Sequence, residues 1–284
     1  MISFPVALSS CKIEMFDWLA PFYCTSRLKG NIAYLTHTKV HNAWPRIQDV
    51  NSTKAVCILS GGLDSVVSAF YVKQVRNLVP YTITFHYGQR SSEEMRRAQF
   101  FSTLLGSKAH KEVDMTFMKD LYCNENSLTG NNSSSIPEKF HQSIVVPHRN
   151  SIFLAISAAW ATSLKVGVLV YGAHADDQNY PDCRPNFIAS LEKMLYESDL
   201  DAINLGLRKR IEIWCPALDN IHKYELVKIG YSILGDKIFH TWSCYSELSD
   251  RFNKPVHCGV CESCHNRKIG FSEADIPDKT VYAK

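Results

Sequence analysis

The sequence predicts an α/β fold built on a doubly wound, mostly parallel sheet. Three observations predict it: short apolar runs alternate with stretches of helical periodicity, a Gly-Gly turn follows the first run, and polar motifs recur just after later runs. Ala55-Val56-Cys57-Ile58-Leu59 is continuously apolar, as expected of a strand covered on both faces. Leu63, Val66, Val67, Phe70 and Gln74 then fall at helical spacing, which predicts a helix over Ser65–Asn77. A second strand is predicted near Tyr81–Phe85, a helix over Ser92–Leu105 and a third strand near His110–Val113. The long apolar region from Ser151 to Tyr171 is broken by Lys165 and Gly167, so it reads as a helix (Ser151–Leu164) and then a strand (Val168–Tyr171), not as a membrane span. A helix over Pro185–Glu197, a strand at Ile211–Trp214 and a helix over Lys223–Gly230 complete the pattern.

Ligands of such sheets sit beyond the C-terminal ends of the strands, and the polar motifs fall there. Ser60-Gly61-Gly62-Leu63-Asp64-Ser65 follows the first strand. Two adjacent glycines let backbone N–H groups face an anion, and the next helix points its positive end at the same place. Ser60 and Ser65 add hydroxyl donors, whereas Asp64 suits an anion site only as a helix cap or as a ligand of Mg²⁺. The turn lacks the Gly-Lys-Ser/Thr ending of a Walker loop. Phe85-His86-Tyr87-Gly88-Gln89-Arg90 follows the second strand, Pro147-His148-Arg149-Asn150 precedes the third helix, and Gly172-Ala173-His174-Ala175-Asp176-Asp177 with Tyr180-Pro181-Asp182-Cys183-Arg184-Pro185 follows the fourth strand.

With 284 residues, 45% of them hydrophobic, the chain can bury a full core. A formal charge of +3 is too small to argue for nucleic acid. The N-terminal residues lack a basic signal region, and a cytoplasmic location is the expectation. Ten cysteines without a secretory signal point to metal or reduced thiols. Cys258, Cys261 and Cys264 form Cys-x-x-Cys-x-x-Cys, and Cys244 upstream completes a four-thiolate set suited to a structural Zn²⁺ in preference to an iron–sulfur cluster. His257 and His265 compete for a ligand place.

Three divisions are expected: an aromatic-rich extension over 1–53, a nucleotide-binding domain over 54–240 and a zinc-binding segment over 241–284. The extension, with Phe16, Trp18, Phe22, Tyr23, Tyr34 and Trp44, reads as an added packing layer or a partner-docking surface. Leu121–Phe140, rich in Asn and Ser, reads as a mobile surface loop.

The Ser60–Ser65 turn resembles the PP-loop of the ATP pyrophosphatases, a Rossmann-like fold of the HUP type. From about Ala55 to Phe271 the chain resembles the QueC family, the 7-cyano-7-deazaguanine synthases. The resemblance rests on the Ser60–Ser65 turn, Tyr87-Gly88-Gln89-Arg90, Arg149-Asn150, Tyr180–Pro185, Cys215-Pro216-Ala217-Leu218 near Lys223, Thr241–Tyr245 and the cysteine tail. It implies ATP-dependent activation of 7-carboxy-7-deazaguanine, attack by ammonia and a second activation that dehydrates the amide to the nitrile. The site it implies has Asp64, Ser65, Arg149 and Lys223 as catalytic groups. Ser60, Gly61, Gly62, Leu63, Asp64, Ser65, His86, Gln89 and Arg149 are placed on ATP. Tyr87, His174, Asp176, Tyr180, Asp182 and Arg184 are placed on the deazaguanine, whose N–H donors favour carboxylate acceptors. Arg149 suits a phosphate or the substrate carboxylate, and Lys223 suits phosphate charge or a solvated helix face. The resemblance also implies a homodimer.

Three departures mark this chain: His86 stands where the family has Asp, the Gly172–Tyr180 stretch begins Gly-Ala-His where the family has a slightly longer Gly-Val-Asn stretch, and the extension comes first. They open a second expectation, a QueC-like ligase of anti-phage defence that joins the activated carboxylate to a protein amine docked by the extension. A third is another PP-loop adenylating enzyme of the tRNA thiolase type.

Overall fold

A computed structural model describes residues 53–122, 126–129, 136–246 and 248–283. The expectations for the extension over 1–53 lie outside the described residues, apart from Thr53. The elements are β1 (Lys54–Ile58), α1 (Leu63–Gln74), β2 (Val79–His86), α2 (Glu93–Leu105), β3 (His110–Asp114), the single turn α3 (Met118–Leu121), α4 (Arg149–Ser163), β4 (Val168–Val170), α5 (Pro185–Ser198), α6 (Leu200–Asn204), β5 (Glu212–Trp214), α7 (Lys223–Leu234), β6 (Leu248–Ser249), β7 (Pro255–Val256) and α8 (Glu262–Glu273). The five longer-range strands form one sheet in the order β3-β2-β1-β4-β5, with every neighbouring pair parallel. The fold is therefore the expected doubly wound α/β sheet, and β6 with β7 forms a separate antiparallel pair.

Alternation along β1 decides which face each residue serves. Ala55, Cys57 and Leu59 join Val66, Phe70, Phe101, Leu226 and Phe271 in a core that draws α1, α2, α7 and α8 to one face. Val56, with Ile83 and Phe85 of β2, joins Phe153, Leu154, Ile188 and Leu191 in the core under α4 and α5 on the other. Chain order reverses direction in the sheet between β1 and β4, which makes the crevice between their C-terminal ends the binding place of this architecture.

Several elements differ from expectation. α4 starts at Arg149, two residues before Ser151, so Arg149 belongs to a first helical turn. α7 continues to Leu234, beyond Gly230, where a Cβ would meet Val67 at 2.5 Å. The segment 121–140 is not simply a polar surface loop: Asn126, Ser127, Leu128 and Thr129 are buried. Asn126 makes this possible by donating to the Val145 carbonyl (2.8 Å) while its own oxygen accepts the Leu128 N–H (2.8 Å). No helix among the described residues is long and apolar enough to cross a membrane.

Candidate functional site

Beyond β1 the backbone turns at Gly61, whose φ of +78° suits glycine. A Cβ there would lie 2.5 Å from the Glu94 carbonyl oxygen and 2.8 Å from the Ala98 nitrogen, so the turn is pressed against α2. Ser60 and Ser65 hydroxyls meet at 2.9 Å, Ser65 Oγ accepts the Ser60 N–H at 3.1 Å, and the Gly62 N–H reaches Ser60 Oγ at 3.3 Å. These bonds fix a loop whose end is the N-terminus of α1. From the other side of the switch point, Gly172 lets β4 approach so closely that a Cβ would lie 2.7 Å from the Ser65 nitrogen.

This loop forms one wall of a cavity of about 250 Å³. Of the residues expected on ATP or substrate, Ser60, Gly62, Leu63, Asp64, Ser65, Tyr87, Gln89, Arg149, His174, Tyr180 and Lys223 line it. Lys223 Nζ bonds both carboxylate oxygens of Asp64, at 2.5 and 2.6 Å. Burial works against ionisation of Asp64 and is the largest single influence, but Lys223, His174 and Arg267 together outweigh it and hold the carboxyl below the ordinary range. Arg149, at the start of α4, donates to the Tyr87 hydroxyl at 3.3 Å with its guanidinium 5.6 Å from that ring's centre. Burial raises Tyr87 to about 12, so the phenol stays neutral.

Five expected residues stand behind or outside the lining. Gly61 shapes the turn from beneath. Asp176 accepts the Lys223 N–H at 2.8 Å and contacts the His222 ring at 2.6 Å, so it caps α7 and holds the start of the helix that carries Lys223. Asp182 accepts the Asn150 N–H at 3.4 Å in the first turn of α4. Arg184 donates to the Gln178 carbonyl at 2.9 and 2.6 Å and is exposed, bracing the loop. His86 is exposed at the end of β2, across from Asp114 of β3 in the strand register.

Glu94 and Glu262 enter the cavity without having been singled out by sequence, whereas Asp177 closes the Gly172–Asp177 motif and Tyr245 the Thr241–Tyr245 motif. Glu94 lines it, accepts from Gln89 Nε2 at 3.4 Å, and is pushed by burial up to about 7. Asp177, which burial raises, Tyr245 and Glu262 line it as well. Glu94 and Glu262 stand in the first turns of helices, where an acidic residue already has a reason to be, so their types gave no separate signal.

The Sγ atoms of Cys244, Cys258, Cys261 and Cys264 lie within 4.8 Å of one another, and all four residues are buried. A tetrahedron with metal–sulfur bonds of about 2.3 Å has edges of about 3.8 Å. Cys258 Sγ and Cys264 Sγ are 3.9 Å apart. Backbone N–H groups of Ser246 and Cys258 point at Cys244 Sγ (3.3 and 3.2 Å), and that of Cys261 at Cys258 Sγ (3.3 Å), the environment a thiolate needs. The donor set fits a metal ion. His257 instead accepts the Ser243 N–H at 3.1 Å and rests on Trp242, while His265 is exposed.

The model of the family described as "Queuosine biosynthesis protein QueC" matches residues 54–275. The chain is 34% identical to the 7-cyano-7-deazaguanine synthase of Hydrogenovibrio crunogenus, over 83% of this chain and 98% of that protein. It is 35% identical to the enzyme of that name in Caldicellulosiruptor saccharolyticus (81% and 95%) and 36% identical to the one in Nitrosospira multiformis (81% and 95%).

Proposed function

The chain belongs to the QueC family, and from that membership and the geometry of its cavity we propose that it is an ATP-dependent enzyme that converts 7-carboxy-7-deazaguanine, with ammonia, to 7-cyano-7-deazaguanine. The observation that carries this reading is the convergence on one cavity of the Gly61-Gly62 turn, the start of α1, Lys223 and Arg149. Together they offer a place for a polyphosphate beside a place for a carboxylate.

A carboxylate is a poor acyl donor because its leaving group would be oxide. Attack of its oxygen on the α-phosphorus of ATP expels pyrophosphate and leaves an acyl adenylate. Backbone N–H groups of the turn, the hydroxyls of Ser60 and Ser65, and Lys223 then stabilise the charge on the departing pyrophosphate. Asp64, anionic and facing the cavity, would hold Mg²⁺ in exchange for its bonds to Lys223, freeing that ammonium for the phosphates, and the ion would supply electrophilic polarisation of the phosphate. Arg149 orients the carboxylate through its two-pronged guanidinium. Ammonia adds to the acyl carbon, AMP leaves and a proton is released. A second adenylation, on the amide oxygen, lets AMP depart with that oxygen, and loss of the remaining N–H protons gives the nitrile. Glu94, in its ionised form above about pH 7, would take up those protons. The four cysteines would hold Zn²⁺, the metal that four thiolates favour.

The test is to supply ATP, Mg²⁺, ammonium and 7-carboxy-7-deazaguanine and to follow pyrophosphate and product mass. Substrate-dependent pyrophosphate release with a nitrile product is expected. Pyrophosphate without nitrile would overturn the ammonia step, and no substrate-dependent pyrophosphate would overturn the whole reading.

A further inference from the structure

We infer that Arg267 is a positioning residue that ties the four-cysteine centre to the nucleotide loop, its guanidinium acting as a clamp on residues 241–243. The inference rests on reading the cavity as an ATP site.

Arg267 is fully buried. Its Nε donates to Thr280 Oγ1 at 3.0 Å, Nη1 to Thr241 Oγ1 at 2.8 Å and to Ser243 Oγ at 3.1 Å, and Nη2 points to the Ile238 carbonyl at 3.4 Å. Every one of these acceptors is neutral. Among the described residues Arg267 forms no ion pair with a carboxylate, although a guanidinium cannot shed its charge and a buried cation without a counter-charge is costly. Tyr282 and Asp278 act on Arg267 electrostatically more strongly than Cys264 and Asp64 do, and the Thr280 N–H donates to Asp278 Oδ1 at 2.9 Å, so the residue that accepts from Arg267 Nε is itself held by that carboxylate.

From Arg267 a path leads to the loop. The Trp242 N–H donates to the Gly61 carbonyl at 2.8 Å, and the Trp242 carbonyl stands 3.4 Å from the place a Cβ on Gly62 would occupy. Trp242 and Ser243 line the cavity, and Cys244 follows them directly. Residues 241–244 thus run from the Arg267 fork, past the glycine turn, to the cysteine centre. A centre read from sequence as a stability device is joined to the nucleotide site by three hydrogen bonds and one strand of backbone.

Full-length, zinc-loaded wild type is compared with Arg267→Gln and Arg267→Lys. Zinc release to a chromogenic chelator is expected to be about 10–100-fold faster in Arg267→Gln, as for other groups that support metal ligands. Arg267→Lys keeps the charge and loses the fork, so its KM for ATP is expected to rise about tenfold with kcat changed much less. Wild-type zinc release by Arg267→Gln, or a wild-type KM for ATP in both variants, would overturn the inference. If Arg267→Gln does not fold, wild type stripped stepwise of zinc decides: loss of ATP binding in step with zinc supports the link, and an unchanged Kd in stripped protein of native circular dichroism overturns it. Failure of zinc-loaded wild type to bind ATP would overturn the ATP reading and the clamp together.

Discussion

Lys223 Nζ sits 2.5 and 2.6 Å from the two carboxylate oxygens of Asp64, joining the first turn of α1 to the first turn of α7. The pair faces the cavity, with the lysine and aspartate side chains 12% and 30% exposed. Asp64→Asn keeps the shape and removes the charge on which Mg²⁺ would depend. ATP cleavage is expected to fall by about 100-fold or more with the fold unchanged, as read by pyrophosphate release alongside circular dichroism. Near-native turnover would remove Asp64 from the mechanism.

Lys223→Met reverses the pH response of the same carboxyl. In wild type the folded-state pKa of Asp64 is depressed, so its contribution to stability is present above the unfolded value of about 3.9 and is lost as pH falls through the lower folded value. Without Lys223, burial dominates and raises that pKa. The variant is then expected to lose stability relative to wild type as pH rises from about 4 to 7. Urea midpoints at the two pH values check this, and a pH-independent difference would contradict it.

Glu94 carries the opposite sign from the start. Burial raises its pKa from 4.5 to about 7, so between those values the folded chain holds a proton that the unfolded chain has released. Stability therefore declines as pH rises through this window, by up to about 3 kcal/mol. Glu94→Gln is expected to flatten that decline and to abolish an activity step that titrates near pH 7. Parallel denaturation and pH–rate profiles measure both, and an unchanged stability profile would show that Glu94 ionises normally.

One zinc per chain is expected by elemental analysis of protein purified without chelator. Cys261→Ser should release it and lower the melting temperature of the chain, because metal binding and folding of this segment are coupled. Protein that contains no zinc yet melts as high as wild type would refute the assignment.

Gly172→Ala tests the approach of β4 to α1. Its Cβ would meet backbone, 2.7 Å from the Ser65 nitrogen and 2.9 Å from Ser65 Cα, which no rotamer change can relieve. A loss of about 1–3 kcal/mol is expected, with weaker ATP binding because the loop must shift. Chemical denaturation and nucleotide titration measure these, and a neutral substitution would mean that the two elements are not held in contact.

The sheet was legible because β1 is continuously apolar and ends at Gly61-Gly62, so strand, turn and helix announce one another. The loop, Arg149, Lys223 and the cysteines were legible for a similar reason: their types are hard to explain otherwise. α8 was not. Its buried residues are Glu262, Cys264, Arg267, Gly270 and Phe271, a face with little apolar periodicity, and the cysteines at its start, Cys261 as N-cap and Cys264, suggest metal before they suggest a helix. The supporting roles of Asp176 and Asp182 were equally hidden, since a carboxylate that caps a helix and one that meets a ligand are the same letter in a sequence. Only the partner tells them apart.

The walls of the cavity are drawn from Ile58 at one end of the matched region to Asn266 near the other, and Trp242 must return to Gly61 before the turn is held on both sides. For a chain made on the ribosome from its N-terminus this sets an order of events. The glycine turn emerges early, yet Lys223 and the 241–244 strap are still unsynthesised, and the closing contacts are of long sequence separation and slow to form. A nascent chain has no complete cavity at that stage. The cavity closes only when α8, the last helix, is in place, and a chain cut short before Asn266 lacks part of its wall.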